Sequence, residues 1–527
     1  MGYDSSTAIE STYLVRGDVS PDAITTSLQA LVPTRHHAIV RHRMTLLDTF
    51  DGRVRRAGAR LTRSAVNGTE TIMWERRSTG ANLILRLAEP VSFAWDLPGG
   101  PLHAAVAPVI GVRRLFAKAD VEVWGSRLDI LDDHSKTIAR LRIESGTARL
   151  PKTRDAWRPL PSVITLTGLR GYEDIYNTLV PVIESRPGVE ACAEAFDDVT
   201  LRELGALPSH IGVPGADLVP TVLAEIGARH IHHGLLRTLT ANEPGVRASL
   251  DTEFLHDFRV AVRRTRSLLG QIKRVFPPDA LAHFSAEFSW LGRLTGPPRD
   301  MDVLVLSLRA QAADLPAGDT EALTGYLGQM QHREHHGLIE ALDGDRYRRL
   351  LSDWETFLER SAPFHPDAGN AGRLLADVVS ERARRLSRRI ARSSETIDEN
   401  TPAERLHELR LTAKKLRYLI DVTPAFYDAA DLERIVSALK KLQRVLGDFN
   451  DAQVQERRLL EFGGALAAES GPPDTVLALE RLAEQCRQRG DRLRLQVVDG
   501  LARFRAHDTR SACRRAFKHA PVEERVP

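Results

Sequence analysis

Two stretches of the chain set cations at one helical spacing. His256, Arg259, Arg263 and Arg266 follow one another at intervals of 3, 4 and 3 residues, and His407, Arg410, Lys414 and Arg417 repeat the intervals. On a helix turning about 100° per residue, with His256 at zero, the three arginines fall at about 300°, 340° and 280°. Phe258, Ala261, Val262, Thr265, Leu268 and Leu269 take the other side, as Leu409, Thr412, Ala413, Leu416, Leu419 and Ile420 do in the second stretch. Each helix is therefore expected to bury one face and offer a row of cations on the other. An ordinary solvated face mixes signs, because acid–base pairs at i,i+4 add a few tenths of a kcal/mol. These rows hold no acid, so the like charges repel unless an anion neutralises them.

Arg264 and Lys415 extend the rows by one residue each, and Arg382, Arg385, Arg389 and Arg392 show the same spacing on a further helix that can supply another wall. Guanidinium forks and lysine point charges suit phosphate oxygens, and the two histidines add donors when protonated. Proteins that grip nucleic acid usually combine cations with aromatic rings that stack bases. Here Tyr418 is the lone aromatic candidate. A polyanion without bases fits better, so inorganic polyphosphate is the expected partner, with nucleic acid disfavoured and no membrane role.

The rows belong to a duplication. Shifted by 151 residues, His256–Val303 lands without a gap on His407–Val454, with Arg259/Arg410, Arg266/Arg417, Leu291/Leu442, Gly296/Gly447 and Asp300/Asp451 among the identical pairs. Two equivalent helical units about a pseudo-twofold axis are expected. In that reading Gly296 and Gly447 end corresponding helices, and Asp300 and Asp451 sit at corresponding starts. His230-x-His232-His233 and His332-x-x-His335-His336 have spacings that can hold a transition metal. No acid or cysteine completes either set, so solvated helix faces are expected and no metal.

Elements of two kinds must position these residues. The first 150 residues read as strands, at Ser11–Val15, Ala38–Thr45, Ala59–Arg63, Thr71–Glu75, Asn82–Leu87, Asp120–Val123 and Ile138–Ile143, with turns at Asn67-Gly68 and Thr79-Gly80. In the last of them Arg140, Arg142 and Glu144 share a face that looks either to solvent or into a polar barrel. Beyond the Pro/Gly-rich stretch at Leu207–Pro220 the apolar period becomes helical. Helices are expected at 221–242, 253–275, 280–296, 300–313, 319–342, 346–360, 371–393, 403–424, 431–447, 450–469 and 474–506, with a fraying tail after about 510. The domains are therefore 5–206, a linker at 207–220, and 221–510, the last in units of about 221–370 and 371–510.

With 527 residues the chain is too long for one ordinary domain. Its 42% hydrophobic and 27% charged residues exclude a disordered or fibrous protein. A net charge of +3 is silent about partners, so charge must be segregated locally. Three cysteines without CxxC spacing, a polar start and no apolar run of membrane-spanning length point to the cytoplasm.

At His256-Asp257-Phe258-Arg259 through Arg266, at Leu294–Val303, and at His407-Glu408-Leu409-Arg410 with Leu446–Asp451, the helical half resembles the CHAD domain, the conserved histidine α-helical domain. The resemblance implies paired helical bundles with basic inner surfaces and binding of inorganic polyphosphate, with association to polyphosphate granules. The first half is similar to the CYTH domain of the triphosphate tunnel metalloenzymes, through Leu47-Asp48-Thr49-Phe50-Asp51 and Gly58-Ala59-Arg60-Leu61-Thr62-Arg63. That resemblance implies an antiparallel β tunnel barrel, giving an α+β fold class for the whole chain. It also implies Mg²⁺ or Mn²⁺ on clustered carboxylates if the barrel is active. The family's Glu-x-Glu-x-Lys opening falls here on Ala8, Glu10 and Thr12, and the late strand carries Arg140 and Arg142. Glu10 and Glu144 remain as candidate remnants of a catalytic site, with Arg43, Arg60, Arg63 and Arg86 as candidate phosphate contacts. The expectation is a polyphosphate-binding protein with a catalytically degenerate barrel. The alternative is a metal-dependent triphosphatase or organic phosphate hydrolase.

Overall fold

The computed structural model describes residues 9–16, 21–66, 69–77, 81–153, 155–207, 214–311, 317–360, 365–398 and 400–518. Ala8, the turns expected at Asn67-Gly68 and Thr79-Gly80, and residues 208–213 of the expected linker lie outside the described residues. The chain divides into two compact units, Met1–His210 and Ile211–Pro527.

The first unit runs β1 (Glu10–Val15), α1 (Pro21–Gln29), β2 (Thr34–Thr49), α2 (Arg53–Arg56), β3 (Ala59–Val66), β4 (Thr69–Arg76), β5 (Ala81–Arg86), α3 (Pro101–Ile110), β6 (Leu115–Leu131), β7 (Thr137–Arg149), β8 (Arg158–Gly168), α4 (Glu173–Glu184), β9 (Val189–Cys192) and α5 (Phe196–Glu203). The strands form one sheet in the order β5-β4-β3-β2-β6-β7-β8-β1-β9. Every pairing in it is antiparallel. That order has two ends, β5 and β9, and no pairing joins them among the described residues. Two strands escape the sequence pattern, β8 and β9. In β8, Pro159 and Pro161 read as breakers, yet the strand pairs with both β7 and β1. Its ladder to β7 is irregular between Glu144 and Gly146, where Pro161 finds room for its missing N–H.

Both faces of the central strands are covered. Tyr13, Leu141, Ile143 and Ile164 pack with Ile24 and Leu28 of α1 and Leu179 and Ile183 of α4. On the other face Leu14, Leu46, Val121 and Val163 pack with Phe196, Val199 and Leu201 of α5. The alternation along β7 sends Ile143 to the first core and Glu144 to the side of α5.

The second unit is helical: α6 (Ala224–Arg247), α7 (Thr252–Gln271), α8 (Pro278–Leu294), α9 (Gly296–Gln311), α10 (Ala317–Asp343), α11 (Asp345–Glu359), α12 (Leu375–Glu395), α13 (Ala403–Asp421), α14 (Ala429–Ala468), α15 (Pro473–Arg505) and α16 (His507–Ala516). The starts of α6 and α12, and of α7 and α13, are each 151 residues apart. Leu223 and Leu374, also 151 apart, form an antiparallel bridge with each other. Its hydrogen bonds are reciprocal: Ala224 N donates to Arg373 O at 2.8 Å, and Leu375 N donates to Val222 O at 2.9 Å. Self-complementary contact of this kind is what a twofold relation requires at its axis.

The two copies differ where the sequence suggested equivalent helix ends. α8 stops at Leu294 and α9 begins at Gly296, whereas Gly447 lies inside the unbroken, 40-residue α14. The cause is local. Pro297 and Pro298 have no N–H to continue the ladder of α8, but they fit the first turn of a new helix. The second copy has Asp448 and Phe449 there, which donate normally. Asp451 therefore sits in mid-helix, not at a start. The tail also departs from expectation. α16 packs Thr509, Ala512 and Cys513 inward, and Phe517 is 1% exposed. Burying that ring stabilises the end by roughly 1.5–3 kcal/mol. Among the described residues no helix is long and apolar enough to cross a membrane.

Candidate anion-binding cleft

α7 is started by Asp251, whose carboxylate accepts from Glu253 N and Phe254 N. It buries Phe254, Leu255, Phe258, Ala261, Val262, Leu268 and Leu269. α13 buries Leu406, Leu409, Ala413, Leu416, Leu419 and Ile420. At the crossing of α6 and α7 a Cβ on Gly245 would stand 2.1 Å from the Phe254 ring, so only glycine allows that approach. With the apolar faces so fixed, the polar faces of α7 and α13 line one cleft of about 1170 Å³. Among the described residues eleven Lys and Arg side chains line it against two aspartates, Asp300 and Asp451.

The surplus shows in the acid–base chemistry. Burial, then Arg263, pushes Arg259 down to about 10. Burial, then Arg410 and Arg263, pushes Lys414 down to about 7. Arg410, Arg266, Arg299 and Arg382 are also lowered, each first by burial. Asp300 is raised by burial, with Asp451 adding to the effect and Arg259 opposing it. The buried Nε atoms of Arg263 and Arg410 meet no hydrogen-bond partner. A buried guanidinium with an unpaired donor is costly, and an anion in the cleft would offset its charge.

The cleft brings together His256, Arg259, Arg263, Arg266, Arg382, Arg410, Lys414 and Lys415 of the residues singled out by spacing. Five others are used elsewhere. Arg264, about 80° round the wheel from His256, donates to Asp421 at 3.1 Å. Arg417 donates to the other oxygen of Asp421 at 2.8 Å. In the first copy the residue matching Asp421 is Gly270, so Arg266 keeps its place in the cleft lining while Arg417 is neutralised. His407 is exposed, its Nδ1 3.0 Å from Asn450 Oδ1. Arg385 pairs with Glu381 at 3.4 Å, and Arg389 is exposed outside the lining. α12 thus contributes Arg382 to the wall, held by Gln271 at 2.7 Å, and not a row.

Lys273, Arg299, Arg444 and Arg458 also line it without having been singled out. Arg299 and Arg458 face Asn450 and Ser307 in the other copy, so the search for identity between copies passes over them. The histidine motifs are solvated only in part: His332 and His336 are exposed, but His232 and His335 are not. His232 is fully buried against Trp354, ring centroids 5.3 Å apart, and burial alone pushes it down to about 3. His335 lies 2.9 Å from the buried Asp302, which also accepts from Gln331.

Because Lys414 titrates near neutrality, binding of a polyanion should be linked to protons. In the free protein the group loses its proton above about pH 7. A bound anion favours the charged form, so binding takes up a proton there and affinity falls as pH rises from about 6 to 9. Calorimetry at pH 8 in buffers of different ionisation heat should show this uptake, and Lys414→Arg should abolish most of it. Identical buffer dependence in the two proteins would sink the assignment.

In the sheet unit the expected phosphate arginines do not converge. Arg60 and Arg63 are three apart on β3 and so point to opposite faces. Arg43 is 72% exposed and paired with Glu122, and Arg86 is exposed. Arg60 is buried in a network with Asp197 of α5 at 2.7 Å, Glu144 at 3.2 Å and Glu75 at 3.5 Å. Arg77 pairs with Asp197 and Asp198, and Arg142 with Glu75. Burial alone would lower the Arg60 guanidinium, but Asp197, then Glu144 and Glu75, outweigh it and hold it charged. Glu10 is raised by burial, against Arg77 and a hydrogen bond with Thr167. Asp48 and Thr49 build the turn into α2: Asp48 accepts from Val54 N at 2.8 Å and Arg55 N at 3.1 Å. These carboxylates do not fit the divalent-ion site that the resemblance implies. Asp48, Glu75, Glu144 and Asp197 are already held by guanidinium or backbone donors, Glu10 bonds with Thr167, and no three potential ligands gather among the described residues.

An all-helical unit with two related halves around a basic cleft is the class of protein this site defines. Residues 230–460 match the family model of the CHAD domain. Two curated proteins of Mycobacterium tuberculosis, from strains CDC 1551 and H37Rv, are each 28% identical over 247 residues, covering 44% of this chain and 46% of their own. The chain thus aligns with about half the length of these relatives. Among solved structures, the CHAD domain from the plant Ricinus communis is 25% identical with a TM-score of 0.47, covering 55% of this chain and 94% of that one. A proposed adenylyl cyclase from Hippeastrum, described as having a dominant triphosphatase activity, is 14% identical with a TM-score of 0.24, covering 37% and 96%.

Proposed function

We propose that the helical unit binds inorganic polyphosphate in the cleft between α7 and α13, and that the CYTH-like sheet unit has little or no metal-dependent triphosphatase activity. The observation that carries the first part is the charge of the cleft, whose lining holds eleven Lys and Arg side chains against two aspartates among the described residues. The cleft offers little to a base: among the described residues Tyr418 is the one Phe, Tyr or Trp in its lining. Recruitment to polyphosphate deposits in the cytoplasm follows from the same reading.

The test is binding of the full chain to polyphosphate and to DNA over a salt series. Each phosphate contact displaces counterions, so affinity for polyphosphate should fall steeply with salt. DNA bound equally well would overturn the choice of ligand. For the sheet unit, tripolyphosphate with Mg²⁺ or Mn²⁺ should turn over far below ~1 s⁻¹, the low end of ordinary enzymes. Turnover near that rate, lost in Glu10→Gln, would favour the hydrolase reading instead.

A further inference from the structure

We propose a second oxyanion site on the helical unit, on the far side of α12 from the cleft, that takes short phosphate chains. Arg382 lines the cleft, and Arg384 and Arg388 lie about 200° and 240° round the helix from it. There they line a separate hollow of about 460 Å³ with Arg510 and Arg514 of α16 and with Lys518. Among the described residues no acid lines this hollow.

Arg384 is fixed, its Nε donating to Phe517 O at 3.1 Å. Arg388, Arg510, Arg514 and Lys518 are exposed and enter no ion pair among the described residues. Neighbouring acids are used by other arginines, Asp431 by Arg515 and Asp508 by Arg434. Arg384 with Arg388, and Arg510 with Arg514, are like charges at i,i+4, an arrangement that costs helix stability. The C-terminal dipole of α16 offsets part of this for Arg514, but not for Arg388 on another helix. An oxyanion bridging α12 and α16 would neutralise both pairs.

The hollow stands apart from the duplicated cleft. The first copy has His233, Arg237 and Glu359 where the second has Arg384, Arg388 and Arg510. The one ring among its described residues, Phe504, is 2% exposed and gives a base nothing to stack on. A few linked phosphates suit its size and charge. They can come from a free oligophosphate or from the end of a longer chain.

Calorimetric titration of the full chain with tripolyphosphate tests this independently of the cleft. Two classes of site are expected. Arg388→Glu with Arg514→Glu should remove one, or weaken it at least tenfold, and leave the other. Arg259→Glu with Arg263→Glu should do the converse, so failure of either site is seen separately. Should the glutamate pair unfold, Arg388→Gln with Arg514→Gln serves. Long-chain polyphosphate separates the sources: its affinity falls in the Arg388/Arg514 variant if one chain reaches both sites and is unchanged if the second holds a separate oligophosphate. A folded Arg388/Arg514 variant with the stoichiometry and affinities of the parent overturns the proposal.

Discussion

Arg259→Glu combined with Arg263→Glu should weaken polyphosphate binding by well over tenfold, which is more than about 1.4 kcal/mol. Two cations become two acids inside a cleft partly screened from water, where each charge acts more strongly than at an open surface. Arg410→Glu with Lys414→Glu, the matching change in the second copy, should do the same. Neither should unfold the protein. The apolar faces with Phe258, Val262, Leu409 and Leu416 are untouched, and all four are buried. The free protein should melt no lower than the parent, because Arg259 and Lys414, lowered first by burial and then by neighbouring cations, bear a repulsion that the substitutions relieve. Affinity lost while stability holds or rises is the signature of a site selected to bind. Arg264→Glu is the contrast, since it breaks the pair with Asp421 and should cost stability more than affinity. If both double variants stay folded and bind polyphosphate like the parent, the cleft is not the site.

The cation rows are legible in the sequence because a helix turns spacing into direction. Once Phe258 and Leu268 are inward, Arg259 and Arg263 have to share the other face. The helical halves are legible because the duplication repeats that logic 151 residues on. What spacing does not carry is the identity of each cation's neighbour. Asp421 takes Arg417 out of the row, and Gly270 leaves Arg266 in it, a difference of one residue between copies. The single helix α14 depends on two absent prolines, so a reading that equates the copies divides it. β8 hides behind prolines that an irregular ladder tolerates. His232 reads as polar, and only tertiary packing shows it among Trp354 and Phe276.

Arg60 is the hardest case, since Asp197 is 137 residues away in sequence and no local pattern links them. Arg60→Met should destabilise the sheet unit by about 3–5 kcal/mol, the usual result of removing one partner from a buried ion pair. The cost comes from what stays behind. Asp197 and Glu144 are 4% and 6% exposed and would lose their main counter-charge. The pH dependence separates this from a simple packing loss. In the parent, burial would raise Asp197, but Arg60 and Arg77 hold it below its ordinary value. Its stabilisation is therefore present above the unfolded pKa and is lost as pH falls through the folded one. In Arg60→Met, burial pushes Asp197 upward. The native state then binds more protons than the unfolded chain above about pH 4, and stability falls as pH rises through that range. The gap between variant and parent should widen from acid to neutral pH in chemical unfolding followed by the β-sheet signal. Arg60→Met with Asp197→Leu and Glu144→Gln should recover much of the loss, as apolar replacement of buried ions often does. A single variant within about 1 kcal/mol of the parent at pH 7 would show that the carboxylates are not held by Arg60. They would then be free to take a metal ion, and the hydrolase reading of the sheet would regain its ground.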